Sequence, residues 1–480
     1  NTVAGAARHA WACKKYGLKA IFGTQISLDI IPRERSNLTL LAANQNGYAN
    51  LCDHLTQAHR NAANSGDRTA PAIGLDSLRD HVDGLFALTG GHDGTLSRLI
   101  ELKRWSQARD FAAALKAIFG GRLFIELTHR ERSTDNERLK LLQELAETLQ
   151  ISTVASNDVR HATKDEYAVY DAQTCRRLGL TVSQWHRDRP RNEAAYLCSA
   201  ARLEKIGLSL AAIANSDAIA RECNVSLLPG EVAPPHASIP SGSSAITYFK
   251  SLCIEGLKKR GLEKSRRAKE LLRKECDIIC QLGLEEFFLV VREVVVYVRS
   301  VGIRCSGRGS AANSLVAFLL GITEVDPIKN NLLFERFLHE GRRGMPDIDV
   351  DFDTVRRGEV IEWMARNWGE EHTAMTANVN TYRLRMAIRD FGKVLGYPLP
   401  LLDLANKHLP HAGVRKAFEY KKELAEVLGE SVALDTLLHL CTALHDGEEA
   451  SPRHLSLHSG GMVLSREPLR YLSPIQTSAN

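Results

Sequence analysis

At 480 residues the chain is too long for one hydrophobic core, so two to four domains are expected. Hydrophobic residues make up 44% and charged residues 25%, the balance of an ordinary folded protein rather than a disordered or fibrous one. The formal net charge of only +5 excludes a globally basic nucleic-acid coat and leaves room for local patches. No apolar run approaches the roughly 18 residues of a membrane span, and the first residues do not read as a signal peptide. The ten cysteines are scattered without a CxxC pair. Cys276 and Cys280 lie one helical turn apart but lack a second pair, so reduced cytoplasmic thiols are expected rather than a zinc site. The chain opens on Asn1 and runs at once into a helical pattern, from which a missing start is expected.

Residues 1–228 alternate helices with short strands. Val3 to Tyr16 is helical, and Leu18 to Phe22 reads as a strand closed by Gly23. Further strands are expected at Leu38–Ala43, Leu85–Gly91, Arg122–Leu127 and Ile151–Ala155, with helices at Tyr48–His59 and Asn136–Leu149. Strands separated by helices predict an α/β domain of barrel type, whose chemistry sits at strand ends. Those ends offer Gln25, His92, His129, Asp158 and His161. Histidines and an aspartate there could ligate metal, although isolated ones are commonly surface residues.

Residues 228–244 are rich in Pro, Gly and Ser and read as a linker. Helices follow at Tyr248–Arg260 and Lys264–Leu282, with basic faces that a solvated surface would also explain. An apolar, hence buried, helix spans Phe287–Val301. Next comes a glycine turn, Gly307-Arg-Gly-Ser310, from which Ser310 is expected to begin a helix running to about Leu320. Such a turn aims free N–H groups and a positive dipole end at an anion, and Arg308 adds a fork for phosphate oxygens. Gly307, Gly309 and Ala312 also satisfy the dinucleotide pattern G-x-G-x-x-A. That alternative wants an acidic residue closing the next strand, whereas Glu324 and Asp326 fall in a turn.

From Met345 to Asp353, Asp347, Asp349 and Asp351 alternate with Ile348, Val350 and Phe352, the period of a half-buried strand. The three carboxylates then share one face within about 14 Å, at a rise of roughly 3.4 Å per residue. Divalent cations or basic groups would relieve their repulsion, and a charged edge that blocks aggregation is the plainer reading. Beyond them Arg385, Arg389 and Lys393 recur every four residues and line one helical face. Cations for phosphates beside carboxylates for metals make up the equipment of phosphoryl transfer.

Gly307-Arg-Gly-Ser310, Leu333-Phe-Glu-Arg-Phe337 and Pro346-Asp-Ile-Asp-Val-Asp-Phe352 together resemble the bacterial family C DNA polymerases. The whole chain is similar in order to the amino-terminal half of those enzymes. Cys305–Ser314, Thr381–Arg385 and Arg453–Gly461 lean toward the error-prone branch rather than the replicative alpha subunit. The resemblance implies a PHP (polymerase and histidinol phosphatase) barrel over 1–228, then the first part of a nucleotidyltransferase-like palm over 229–378. A helical thumb over 379–455 and a return to the palm over 456–480 follow. It also implies that Asp347 and Asp349 are the catalytic pair holding two Mg²⁺, with Asp351 a third, weaker metal candidate. Gly307, Arg308, Gly309 and Ser310 would seat the incoming dNTP, with Arg385, Arg389 and Lys393 as an inferred phosphate face. The implied partners are primer-template DNA and dNTP, with a sliding clamp and accessory polymerase-like proteins reached through absent regions; no membrane is implied. In the PHP part only His129 keeps the family pattern. The family's strand-end glutamate reads Gln25, and the Asp-x-His position reads Asp158-Val-Arg160 with His161 displaced by one, so this vestigial site is expected to be inert. The third catalytic aspartate of the family lies past the His458 motif in a segment not present here, so the piece alone is expected to be inactive. A PHP-type phosphoesterase and a silent DNA- or partner-binding scaffold are the alternatives.

Overall fold

The structure, a computed structural model, describes residues 2–30, 36–66, 71–227, 233–339 and 346–476. The chain forms two compact units: 1–226 with 377–459 and 473–480, and 227–376 with 460–472. Of the expected linker, 228–232 lie outside the described residues, and 233–244 form neither helix nor strand. No described helix is long and apolar enough to cross a membrane.

The first unit is built on a five-stranded sheet of β1 (Gly23–Leu28), β2 (Ser36–Ala42), β3 (Leu85–Leu88), β4 (Leu123–Leu127) and β5 (Ser152–Ala155), in that spatial order. β1, β2 and β3 pair antiparallel, whereas β3, β4 and β5 run parallel. The pairings of the described residues therefore run as an open sheet, and the barrel closure expected from the sequence is not among them. Gly23 opens a strand instead of closing one, so the strand expected at Leu18–Phe22 lies a few residues later. Alternation along β1 and β2 buries Ile26 and Leu40 against Leu51 and Leu55 of the helix Gln45–Asn64. Asn44 caps that helix, its side-chain oxygen accepting from the Gly47 N–H at 2.9 Å.

A second core in the same unit is helical. Tyr382, Phe391, Leu402, Leu434 and Leu438 pack with Ala172 and Cys175 of the helix Tyr167–Leu178. Most of the segment expected to form a thumb thus shares a core with the amino-terminal part. Asp390 ties it further, pairing with Arg176 at 3.1 Å and with Arg453 at 2.8 Å.

The second unit packs Phe249, Phe288, Phe334 and Phe337 around the apolar helix Glu285–Ser300. On it lies the two-stranded ribbon of β6 (Cys305–Arg308) and β7 (Asp349–Phe352). β8 (Thr373–Thr381) and β9 (Pro452–Leu464) pair as a further two-stranded sheet.

Candidate active site

The ribbon brings the two most distinctive motifs of the sequence side by side. β6 and β7 are antiparallel in the register Ser306↔Asp351, Gly307↔Val350 and Arg308↔Asp349. Asp347, Asp349 and Asp351 are exposed, while Ile348, Val350 and Phe352 are half-buried against the cores beneath. The expected common face of three carboxylates is therefore present, with regular strand starting only at Asp349. Met345 lies outside the described residues. Arg308 is the counter-charge. Its Nε donates to Asp351 Oδ1 at 2.8 Å, and its guanidinium lies 3.9 Å from Asp349 Oδ2. The fork expected to take phosphate oxygens is thus engaged with the aspartates.

Close packing sets the glycine turn. A Cβ on Gly307 would stand 2.8 Å from the Ile322 carbonyl oxygen. Gly309 adopts φ +65°, and a Cβ there would meet Asp349 Oδ2 at 3.2 Å. Past the turn the structure corrects the sequence reading. Residues Gly309–Asn313 form a 3₁₀ turn, and the α-helix begins only at Leu315, capped by Ser314. Its first N–H groups do not await an anion. Leu315 N donates to Glu275 Oε1 at 2.9 Å, and Val316 N and Ser314 Oγ donate to Oε2 at 3.0 and 2.8 Å. Burial is the main force pushing the Glu275 carboxyl up to about 7, with those three donors pulling the other way. Sequence reasoning missed Glu275, which fixes the helix leaving the turn from a distant point in the chain.

The other candidates are placed elsewhere. Arg385, Arg389 and Lys393 lie on the helix Leu384–Val394 of the first unit. Arg385 donates to the Leu409 carbonyl and Arg389 to Asp403, so two of the three cations hold their own helices together. In the PHP part, Asp158 has a side chain only 8% exposed and is held by Arg130 at 2.6 Å and Arg160 at 2.8 Å. Arg160 also donates to Gln25 Oε1 at 2.9 Å. His129 contacts Asn136 at 3.3 Å, and the buried His161 contacts the Thr163 carbonyl at 2.7 Å. His129, Asp158 and His161 are thus engaged separately.

Exposed carboxylates are the donors a hard divalent cation takes, so Asp347, Asp349 and Asp351 fit such an ion in kind. They fall short in number. Among the described residues no group of three or more His, Cys, Asp or Glu side chains is placed to share one metal ion.

Two stretches of the chain match known families. Residues 1–130 match the PHP domain, and residues 247–480 match the family described as bacterial DNA polymerase III alpha NTPase domain. Over its whole length the chain is 35% identical to an error-prone DNA polymerase of Symbiobacterium thermophilum, of which it covers 45%. It is 32% identical to one of Pseudomonas aeruginosa and 33% identical to one of Methylococcus capsulatus, covering 44% of each. The chain therefore spans a little under half the length of these relatives.

Proposed function

Because this chain belongs to the bacterial DNA polymerase III alpha family, we propose that it serves template-directed DNA synthesis of the error-prone kind. In this reading 229–378 and 456–480 contribute to a palm, 379–455 to a thumb, and 1–228 to a PHP domain. A primer 3′-hydroxyl attacks the α-phosphate of a dNTP; the new P–O bond forms as the bond to pyrophosphate breaks. Two Mg²⁺ ions, held by Asp347 and Asp349 with a further carboxylate, would activate the hydroxyl and neutralise the leaving group. The residues of the ribbon do the positioning. Gly307 and Gly309 let the backbone approach the triphosphate, Ser310 offers a hydroxyl, and Arg308 exchanges its aspartate partners for phosphate oxygens.

The observation that carries this reading is the juxtaposition on one ribbon of an exposed aspartate face and a glycine turn, with Arg308 2.8 Å from Asp351. Primer extension with Mg²⁺ by the full-length gene product tests it. Asp347→Asn and Asp349→Asn keep shape while removing a charge, and each should lower extension by roughly a thousandfold with the fold intact. Asp351→Asn should be milder, because that side chain serves mainly to hold Arg308. Undiminished extension by both Asp347→Asn and Asp349→Asn would remove β7 from the chemistry.

A further inference from the structure

The first unit contains a cavity of about 620 Å³ that DNA synthesis on the ribbon does not use. It lies at the carboxyl ends of the three parallel strands, where His92, Arg132 and Arg160 follow β3, β4 and β5. Open α/β sheets place ligands in the crevice beyond such strand ends. The lining carries eight Lys or Arg side chains against four Asp or Glu. A solvated basic surface would be the ordinary account, and two buried features argue against it. Arg132 donates to His92 Nε2 rather than to a carboxylate, and burial together with the charges of Arg132 and Arg138 pulls the His92 imidazole below its ordinary value. The Nε atoms of Arg132 and of Arg138, itself only 3% exposed, are buried and without a hydrogen-bond partner among the described residues. Lys103, Arg177 and Arg191 are exposed at the same cavity and make no ion pair among the described residues, which leaves them open to a ligand. Cations gathered this closely repel one another unless an anion enters.

Size and shape narrow the anion. The volume sits within the roughly 300–1,000 Å³ of small-molecule sites, more than a lone pyrophosphate fills. Trp105, 47% exposed, lines the same cavity and presents a ring on which a base can stack. Asp158, the carboxylate that could have held a metal, is committed to Arg130 and Arg160. We propose that this cavity binds a nucleotide polyphosphate without a metal ion, its phosphates on Arg132, Arg177 and Arg191 and its base against Trp105. Guanidinium groups take phosphate oxygens directly and in pairs, so this binding needs no bridging cation.

Calorimetric titration of the whole chain in EDTA tests this with dATP, pyrophosphate, deoxyadenosine and inorganic sulfate at matched ionic strength. One dATP should bind per chain, pyrophosphate more weakly, and deoxyadenosine and sulfate not measurably. The double variant Arg177→Ala/Arg191→Ala removes exposed, unpaired side chains and should retain the fold while weakening dATP at least tenfold. Trp105→Phe should weaken dATP and leave pyrophosphate unchanged. Three results would overturn the proposal. One is binding abolished by Arg308→Ala and untouched by the double variant, which would assign the nucleotide to the ribbon. The others are sulfate matching dATP, and binding that requires Mg²⁺.

Discussion

Replacing Glu275 by Gln should make the stability of the second unit respond differently to pH. Glu275 is 0% exposed and accepts three hydrogen bonds at the start of the helix Leu315–Leu319. Its carboxyl stands at about 7 in the folded chain, against an ordinary value of 4.5. That difference corresponds to about 3 kcal/mol, at 1.36 kcal/mol per pH unit. Since the folded value is the higher, the folded chain binds the proton more tightly between the two. The contribution is fully present below about pH 4.5 and is lost as pH rises through about 7. Glu275→Gln abolishes the titration and turns an NH₂ group toward backbone donors, at a cost of about 1–3 kcal/mol for a buried donor left unmet. The advantage of the wild type over the variant should therefore be largest below about pH 4.5, and between pH 5 and pH 8.5 it should shrink by about 2.5 kcal/mol. Glu126 in the first unit is also pushed up to about 7 by burial, but it titrates alike in both proteins and cancels. Urea unfolding can be followed through Trp363 and Trp368, after replacing the exposed Trp11, Trp105 and Trp185 by Phe. A wild-type advantage that stays constant from pH 5 to pH 8.5 would refute the argument.

Gly307→Ala should lower the melting temperature by an amount equivalent to about 1–3 kcal/mol, because its Cβ would fall 2.8 Å from the Ile322 carbonyl oxygen. Differential scanning calorimetry would read it, and an unchanged melt would show that the turn yields easily. Asp390→Ala should cost about 3–5 kcal/mol by leaving Arg176 and Arg453 without their shared carboxylate. Limited proteolysis should then cut within 377–459 before the sheet; simultaneous loss of both parts would instead show one cooperative block.

What the sequence revealed was local in origin. Alternation of aspartate with Ile348, Val350 and Phe352 is a period-2 pattern that needs no partner to be read, and the exposed and half-buried faces follow it. The helix Leu384–Val394 was legible for the same reason: its spacing alone gathers Arg385, Arg389 and Lys393 on one side. What those arginines touch was not legible, since Leu409 and Asp403 come from elements that only folding brings near. The turn after β6 misled in a similar way. Ser310 has the chemistry of a helix cap, but Ser314 has it too, and Glu275, 39 residues upstream of Ser314, secures the later start. Gly23 was read as a stop, yet it pairs with Leu41 as the first residue of β1. Where the pairing of the described strands ends was not legible, because alternating helices and strands announce an α/β domain without saying it.

Asp158 sits at φ +39°, a left-handed conformation uncommon outside glycine, with its carboxylate between two guanidinium groups. An ion gathered from solution leaves when its concentration falls, so a carboxylate that depends on one is only as secure as the supply. Arg130 and Arg160 are attached to the same backbone as the group they neutralise, and dilution or a chelator cannot take them away. The geometry at the end of β5 should accordingly be the same in metal-starved and metal-replete surroundings.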